Sequence, residues 1–140
     1  GGVQGRSRVF SWAAMMEVSI AARLIDVGCG AARAFEVAQL FSDGGDGGLH
    51  WEEEGNELPE RKPGLPYHYR HGETILTLCG EEAEIILTKD GDLNLTMYRR
   101  ADGRARALVA LNVSEVFQLV ALRLGVDARE ILDQAYPQAR

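Results

Sequence analysis

The fold of this chain is decided by the segment RSRVFSWAAMMEVSIAARLIDVGCGAARAFEVAQLF, residues 6–41. From residue 12 to residue 27 it contains no Gly or Pro and is rich in Ala and Met, a composition that favours helix. Ser11 is a candidate N-cap for this helix, and Gly28 stands where a left-handed residue would end it. The apolar surface of the helix is broad, which predicts that most of its sides are buried.

A second helix is predicted over residues 31–41, directly after the break at Gly28. Its apolar residues recur at intervals of three and four, as one buried helical face requires, and they are Ala34, Val37, Leu40 and Phe41. The run DGGDGG at residues 43–48 then ends the helix and predicts a flexible linker. We therefore expect an N-terminal pair of helices followed by a Gly-rich boundary.

The second half of the chain changes from helical periodicity to the pattern of strands. Residues 74–79 and 84–89 are β-branched and apolar, and residues 93–98 alternate apolar with polar side chains, as a half-buried strand does. Asp90 and Gly91 lie between two of these runs, and both residue types tolerate the positive φ angles of a tight hairpin. The pattern therefore predicts antiparallel strands.

A fourth strand at residues 105–112 and two helices are predicted to complete the chain. Ser114 is the predicted cap of the first of these helices, which extends to about residue 124. Asp127 and Glu130 have the spacing of a capping box for the second. The predicted fold class is α+β: an N-terminal helical pair, a Gly-rich linker, and a small antiparallel β-sheet with two C-terminal helices.

This organisation divides the 140 residues into three parts. Residues 1–42 hold an extended arm and the helical pair, and residues 43–73 form a Gly-rich and acidic linker. Residues 74–140 hold the sheet and two helices, which we interpret as a candidate effector or dimerisation lobe.

Composition limits the class of protein. Hydrophobic residues make up 46% of the chain and charged residues 26%, as in soluble globular proteins. No apolar run is long enough to cross a membrane, and no signal peptide is recognised. The two cysteines, Cys29 and Cys79, are too few for a disulfide framework, which favours a reduced cytoplasmic compartment. Because the first residue is Gly1, a processed or trimmed product is expected.

The charge is unevenly distributed. A net charge of −6 is unusual for a domain that binds nucleic acid over its whole surface. However, residues 1–11 carry Arg6 and Arg8 and no acid, and residues 99–106 carry four arginines against one aspartate. We interpret the second cluster as a solvated hairpin tip, and residues 52–60, with five glutamates, as a solubilising loop.

Few residues are candidates for site chemistry. His68 and His71, with Cys79 or His50, are candidate metal ligands, but no acidic or cysteine pair completes a metal-binding spacing, so we interpret them as surface histidines. Cys29 is interpreted as a small packing residue rather than a reactive thiol. No Ser-His-Asp, Cys-His or paired-carboxylate pattern stands out. The sequence therefore predicts no catalytic residue, cofactor or metal, and a protein that is not an enzyme.

LIDVGCG, residues 24–30, resembles the Gly-rich turn of class I methyltransferases, which use S-adenosylmethionine. In that family a strand, here residues 24–27, precedes the turn, and the next helix offers its N–H groups to the ligand. The family also requires an acidic residue that ends a second strand roughly 20 residues further on, where this chain has DGGDGGLHWEEE. Because the residues before Leu24 predict continuous helix, a methyltransferase is only the second alternative.

Residues 5–41 also resemble the wing and the two following helices of MerR-type transcription regulators, over roughly a quarter of the chain. The wing of that family ends in a Gly-x-Arg-x-Tyr/Phe-Ser-like sequence, and this chain shows Gly5, Arg6, Arg8, Phe10 and Ser11 in a similar order. Two helices joined at a glycine, here Gly28, follow at the spacing of the family. The resemblance implies that Arg6 and Arg8 contact DNA phosphates, since guanidinium groups fork onto phosphate oxygens.

The chain departs from the MerR pattern in three ways. Phe10 stands where Tyr is common, the recognition helix expected before the wing is absent from residues 1–5, and the usual long dimerising helix is replaced by a linker and strands. The resemblance implies a bacterial, cytoplasmic transcription regulator with a helix-turn-helix and winged-helix DNA-binding part completed upstream of Gly1, acting as a homodimer. The first alternative is a non-enzymatic ligand- or protein-binding module.

Overall fold

The computed structural model describes residues 11–43, 60–89 and 107–137. Its N-terminal part is a pair of packed helices, α1 at Trp12–Asp26 and α2 at Ala31–Ser42. The predicted helical pair is therefore confirmed. Of the predicted linker, residues 43–73, the part from residue 44 to residue 59 lies outside the described residues.

Both ends of α1 are fixed by residues that the sequence indicates. The Ser11 hydroxyl oxygen accepts a hydrogen bond from the N–H of Ala14 at 3.3 Å. At the other end, the N–H of Cys29 donates to the carbonyl of Leu24 at 3.0 Å, the long bond of a Schellman motif. Gly28 provides the left-handed residue of this motif with a φ of 102°, which residues with a side chain rarely adopt.

Only one face of α1 is buried. Met16, Ile20 and Leu24 are at most 1% exposed, whereas Val18 is 59% exposed and Ile25 is 40% exposed. The predicted burial of most sides of this helix is therefore wrong. A single small core buries one helical stripe, and apolar residues outside that stripe remain on the surface, as in most proteins.

The described residues form three antiparallel strands of a sheet, in the order β2-β1-β3. They are β1 at Glu73–Cys79, β2 at Glu82–Thr88 and β3 at Val109–Asn112. β1 and β2 form a tight hairpin, with Cys79 paired with Glu82 and Gly80 at a φ of 61°. The small antiparallel sheet is thus confirmed, although β3 is shorter than predicted.

Three predicted features of the second half lie outside the described residues. They are the hairpin at Asp90 and Gly91, the strand at residues 93–98 and the arginine cluster at residues 99–106. These features stay predictions.

Two helices, α3 at Val113–Leu124 and α4 at Ala128–Ala135, follow β3 as predicted. The predicted cap of α3 is wrong, because Asn112 rather than Ser114 caps it, accepting a hydrogen bond from the N–H of Glu115 at 3.0 Å. The Ser114 hydroxyl oxygen instead accepts the N–H of Thr74 at 2.9 Å, which ties α3 to β1. Asn and Ser are both strong capping residues, so the pattern alone does not choose between them.

The predicted cap of α4 at Asp127 is confirmed at the junction between α3 and α4. Gly125 ends α3 with a φ of 71°. The Asp127 carboxylate caps α4 by accepting the N–H of Arg129 at 2.9 Å and the N–H of Glu130 at 3.4 Å. These bonds satisfy two backbone donors that would otherwise lack a partner at the start of the helix.

One hydrophobic core joins the helical pair to the sheet and the C-terminal helices. α3 is central to it, because it contacts α1, β1 and α4. On the α1 side, the rings of Trp12 and Phe117 lie 4.8 Å apart. Within the described ranges, no helix is both long enough and apolar enough to span a lipid bilayer.

Candidate functional site

The predicted DNA contacts, Arg6 and Arg8, lie outside the described residues. The described part of the chain instead brings together a different group of polar residues, where residues 60–72 meet α4.

The connection that precedes β1, residues 60–72, is held against the core by Tyr136 at the end of α4. The Tyr136 hydroxyl donates to the carbonyl of Pro66 at 3.0 Å and accepts the N–H of Lys62 at 2.9 Å. One side chain thus satisfies two backbone groups of an irregular segment, which has no ladder of its own to satisfy them.

A buried arginine also holds this connection in place. Arg61 is 1% exposed, and its Nη1 donates to the carbonyl of Leu65 at 3.1 Å. Its guanidinium carbon lies 4.4 Å from the centroid of the Phe41 ring on α2, a cation–π arrangement. The connection is therefore anchored to both the helical pair and α4.

The end of the connection carries a 3-10 turn at Tyr69–His71, next to which His68 and Asp133 meet. Nε2 of His68 lies 2.7 Å from Oδ1 of Asp133 on α4, and the Tyr69 hydroxyl donates to the same carboxylate oxygen at 2.9 Å. The His68 and Tyr69 rings stack with centroids 4.1 Å apart. This group forms the polar border of the site.

The hydrogen bonds of His68 determine its tautomer. Nδ1 accepts the N–H of Arg70 at 3.0 Å, so it carries no proton, and Nε2 is the nitrogen that donates to Asp133. Both ring nitrogens are therefore engaged, and neither is directed toward a substrate or a metal ion. The predicted surface location of His68 is wrong, since the residue is 2% exposed.

Tyr69 lies between the buried histidine and a surface arginine. The hydrogen bond to Asp133 raises the pKa of the Tyr69 hydroxyl above its ordinary value, with contributions from desolvation and from the negative charge of Asp133. On the other side, the guanidinium carbon of Arg129 lies 4.8 Å from the Tyr69 ring centroid. Tyr69 therefore extends the hydrogen-bonded border from the buried His68 to Arg129 at the protein surface.

His71 is half-buried in the same turn. Its Nε2 is buried and has no hydrogen-bond partner among the described residues. Desolvation lowers the pKa of the His71 imidazole below its ordinary value, and the nearby His68 and Arg70 lower it further. Burial and the two neighbouring residues therefore favour the neutral form of this imidazole.

A cleft of about 400 Å³ opens beside this border. Its apolar wall comes from the connection and from the two C-terminal helices, and the residues of this wall include Pro66, Tyr67, Phe117, Ala128 and Leu132. Its size lies within the range of small-molecule pockets in proteins.

Polar side chains are concentrated in the rest of the cleft lining. They include Ser114 and Gln118 on α3, Glu73 and Lys89 at the ends of the β1–β2 hairpin, and Arg129 on α4. An apolar wall with a few converging polar groups is the usual composition of a binding pocket.

The other predicted chemistry is placed as follows. Within the part of the chain that the structure describes, no group of His, Cys, Asp and Glu residues is arranged to hold a metal ion. Cys29 packs against the core, as expected of a small packing residue. The strand that a methyltransferase requires at residues 24–27 is not formed, because Leu24 lies inside α1, which continues to Asp26.

The cleft and its border were not predicted from the sequence. His68 and Asp133 are separated by 65 positions, and no local pattern links a histidine after a Pro-rich stretch to an aspartate on a distant helix. The one available signal was the clustering of aromatic residues and histidines in residues 67–71, which marks a segment that must be held by contacts to other elements.

The chain matches no protein-family model, no curated protein and no solved structure.

Proposed function

We propose that this chain is part of a bacterial transcription regulator that binds DNA. The observation that supports the proposal is the helical pair: α1 ends at Asp26, Gly28 makes the turn, and α2 begins at Ala31. This is the arrangement that the resemblance to MerR-type regulators implies after the wing. It is incompatible with the competing interpretation of LIDVGCG, which needs a strand at the same residues.

In this proposal the arginine-rich arm before α1 contacts the DNA backbone. Arg6 and Arg8 each offer a fork of N–H donors to phosphate oxygens and release condensed counterions on binding. Such contacts position a protein on DNA and carry no sequence information themselves. The chain by itself is therefore expected to bind duplex DNA weakly and with little preference for sequence.

The test is fluorescence anisotropy of a labelled duplex titrated with the chain over a series of salt concentrations. Each phosphate contact contributes about 0.9 to the slope of log K against log salt. Replacing both arginines by alanine is expected to reduce the slope by about 2. The matched control replaces Arg23 and Arg123, which are exposed at the ends of α1 and α3, and it should leave the slope unchanged.

Equal slopes for the arm variant and the unchanged chain would reject the proposed role of Arg6 and Arg8. The proposal also includes a homodimer, because regulators of this kind bind paired half-sites. Light scattering after size exclusion tests this by the mass of two chains, and the mass of one chain would contradict it. A cytoplasmic location belongs to the same proposal, and it agrees with the lack of a disulfide between Cys29 and Cys79.

A second candidate function is a non-enzymatic ligand- or protein-binding module. The cleft beside Tyr69 and Arg129 favours it, because it combines an apolar wall with polar groups on well-held elements. The engagement of both nitrogens of His68 supports binding rather than catalysis at this place. The two functions are compatible in one chain, as in a regulator that responds to a bound molecule.

A thermal-shift screen of small molecules tests this second function. A ligand that binds only the folded chain raises its melting temperature. The Gln118→Trp variant, which fills the cleft from an exposed position of α3, should lose every such shift. Shifts that persist in this variant would place the binding elsewhere.

A further inference from the structure

We propose that the cleft beside Tyr69 and Arg129 binds a small molecule with an apolar body and a single carboxylate. The inference rests on the cleft being a binding site, the second of the two functions proposed above. It does not depend on whether the chain binds DNA.

Arg129 supplies the anchor for the carboxylate. Its backbone N–H is used by the Asp127 cap, but its guanidinium forms no hydrogen bond or ion pair within the described ranges. The guanidinium lies over the ring of Tyr69, at the edge of the cleft. A planar cation held against an aromatic ring and offering several unused N–H donors is suited to two parallel bonds with a carboxylate.

Asp133, four residues after Arg129 on α4, is already engaged. Its Oδ1 accepts hydrogen bonds from both His68 and Tyr69. Arg129 and Asp133 form no ion pair within the described ranges. The hydrogen-bonded border therefore leaves the arginine available to a ligand.

The charged residues of the lining favour a ligand with one negative group. They are the cations Lys89 and Arg129 and one acid, Glu73. Arg129 can hold one carboxylate. A second negative group would have to approach Glu73, and like charges at close range repel each other.

The wall opposite the charged groups selects the rest of the ligand. Phe117 and Leu132 are 1% and 5% exposed and contribute apolar surface to the cleft. Gln118 and Ser114 on α3 add neutral polar groups beside it. A volume of about 400 Å³ is at the small end of ligand pockets, so the body is of the size of one aromatic ring with a short chain.

Isothermal titration calorimetry of the full chain with three probes of similar size tests the inference. The probes are phenylbutyrate, its neutral amide, and the cationic phenylbutylamine, which share a phenylalkyl body and differ in the head group. We expect saturable binding of phenylbutyrate and at least about 10-fold weaker binding of the other two, because hydrogen bonds between ionised partners are the strong ones.

Two variants locate the binding. Arg129→Gln removes the charge and the guanidinium fork but keeps a polar side chain, and it should weaken phenylbutyrate binding by about 10-fold or more. Gln118→Trp should abolish the binding by filling the cleft. The control is Arg123→Gln on α3, an exposed arginine outside the cleft lining, which should bind as the unchanged chain does.

Three results would overturn the inference: no saturable heat with phenylbutyrate, equal affinity for the acid and the amide, or unchanged affinity in Arg129→Gln. Equal affinity for acid and amide that is lost in Gln118→Trp would still support the binding module. In that case only the assignment of the carboxylate fails, so the two failures are distinguishable.

Discussion

His68 and Asp133 lie 65 residues apart in the sequence, and in the fold Nε2 of His68 donates a hydrogen bond to Oδ1 of Asp133 at 2.7 Å. The bond joins the connection before β1 to α4. His68 is almost completely buried. The Asp133 carboxylate is therefore the acceptor that the Nε2–H of His68 requires. The bond therefore holds one edge of the cleft in place, and its loss should also lower the stability of the protein.

Replacing Asp133 by alanine is expected to lower the free energy of unfolding by about 1–3 kcal/mol, because the buried N–H of His68 then has no acceptor. Urea denaturation followed by circular dichroism measures the change. Gln134→Ala is the matched control on the same helix, since Gln134 is exposed, and it should change the free energy by less than about 0.5 kcal/mol. Equal losses in the two variants would show that the bond contributes nothing beyond helix propensity.

His71 makes the stability depend on pH in a predictable direction. Its pKa is lowered in the folded protein, chiefly by desolvation and then by His68 and Arg70, so the folded state binds fewer protons than the unfolded state. Its contribution to stability is present above the unfolded pKa of about 6.5 and is lost as the pH falls through the lower, folded pKa. The protein should therefore become less stable as the pH falls from about 6.5 through the lower, folded pKa of His71.

Carboxylates also titrate on acidification, so the contribution of His71 is measured as a difference. The decrease in unfolding free energy between neutral and mildly acidic pH should be larger for the unchanged chain than for His71→Asn, which does not titrate. NMR titration of the imidazole provides a direct check. A midpoint for His71 at or above that of an unfolded histidine would contradict the expected direction.

The fold was largely predictable because its signals are local. The helical pair follows from the composition of residues 12–27 and from Ser11 and Gly28, each of which acts on its own helix end. The hairpin strands follow from their β-branched and apolar composition. Such signals need only neighbouring residues, and the structure confirms them.

The cleft was not predictable, because its parts come from distant positions. In the sequence, Arg129 is one residue of an exposed helical turn. Its place at the cleft depends on its contact with the Tyr69 ring, which forms because the connection packs on α4. The burial of α1 was overestimated for a related reason. The sequence reveals that Val18 and Ile25 are apolar, but only the packing reveals that other elements cover the opposite stripe.

The cap of α3 was also predicted wrongly from the sequence, and the observed cap leads to a third prediction. The Asn112 side chain accepts the N–H of Glu115 at 3.0 Å, so Asn112→Ala should lower the free energy of unfolding by about 1 kcal/mol. Asn112→Asp retains a capping oxygen and should unfold at nearly the same urea concentration as the unchanged chain. Equal destabilisation by both substitutions would show that the residue acts through its pairing in β3 instead.

The last prediction compares two glycines that both have positive φ angles. Gly28 has a φ of 102° and no atom within 4 Å of the position of a Cβ, whereas Gly64 has a φ of 79° and would place a Cβ 2.5 Å from backbone atoms of Ala13. Gly28→Ala therefore suffers conformational strain alone and should cost about 1–2 kcal/mol. Gly64→Ala adds a collision with the first turn of α1 and should cost more than about 3 kcal/mol, as measured by urea denaturation.

A double variant tests whether the collision is with the backbone of Ala13 or with its side chain. A Cβ at Gly64 would approach the backbone Cα and N of Ala13 more closely than its side chain, which is 3.0 Å away. Truncating that side chain in the double variant Ala13→Gly, Gly64→Ala should therefore not restore stability, because the backbone of α1 remains in place. Recovery of stability in the double variant would instead mean that the Ala13 side chain, and not the backbone of α1, obstructs the Cβ at position 64.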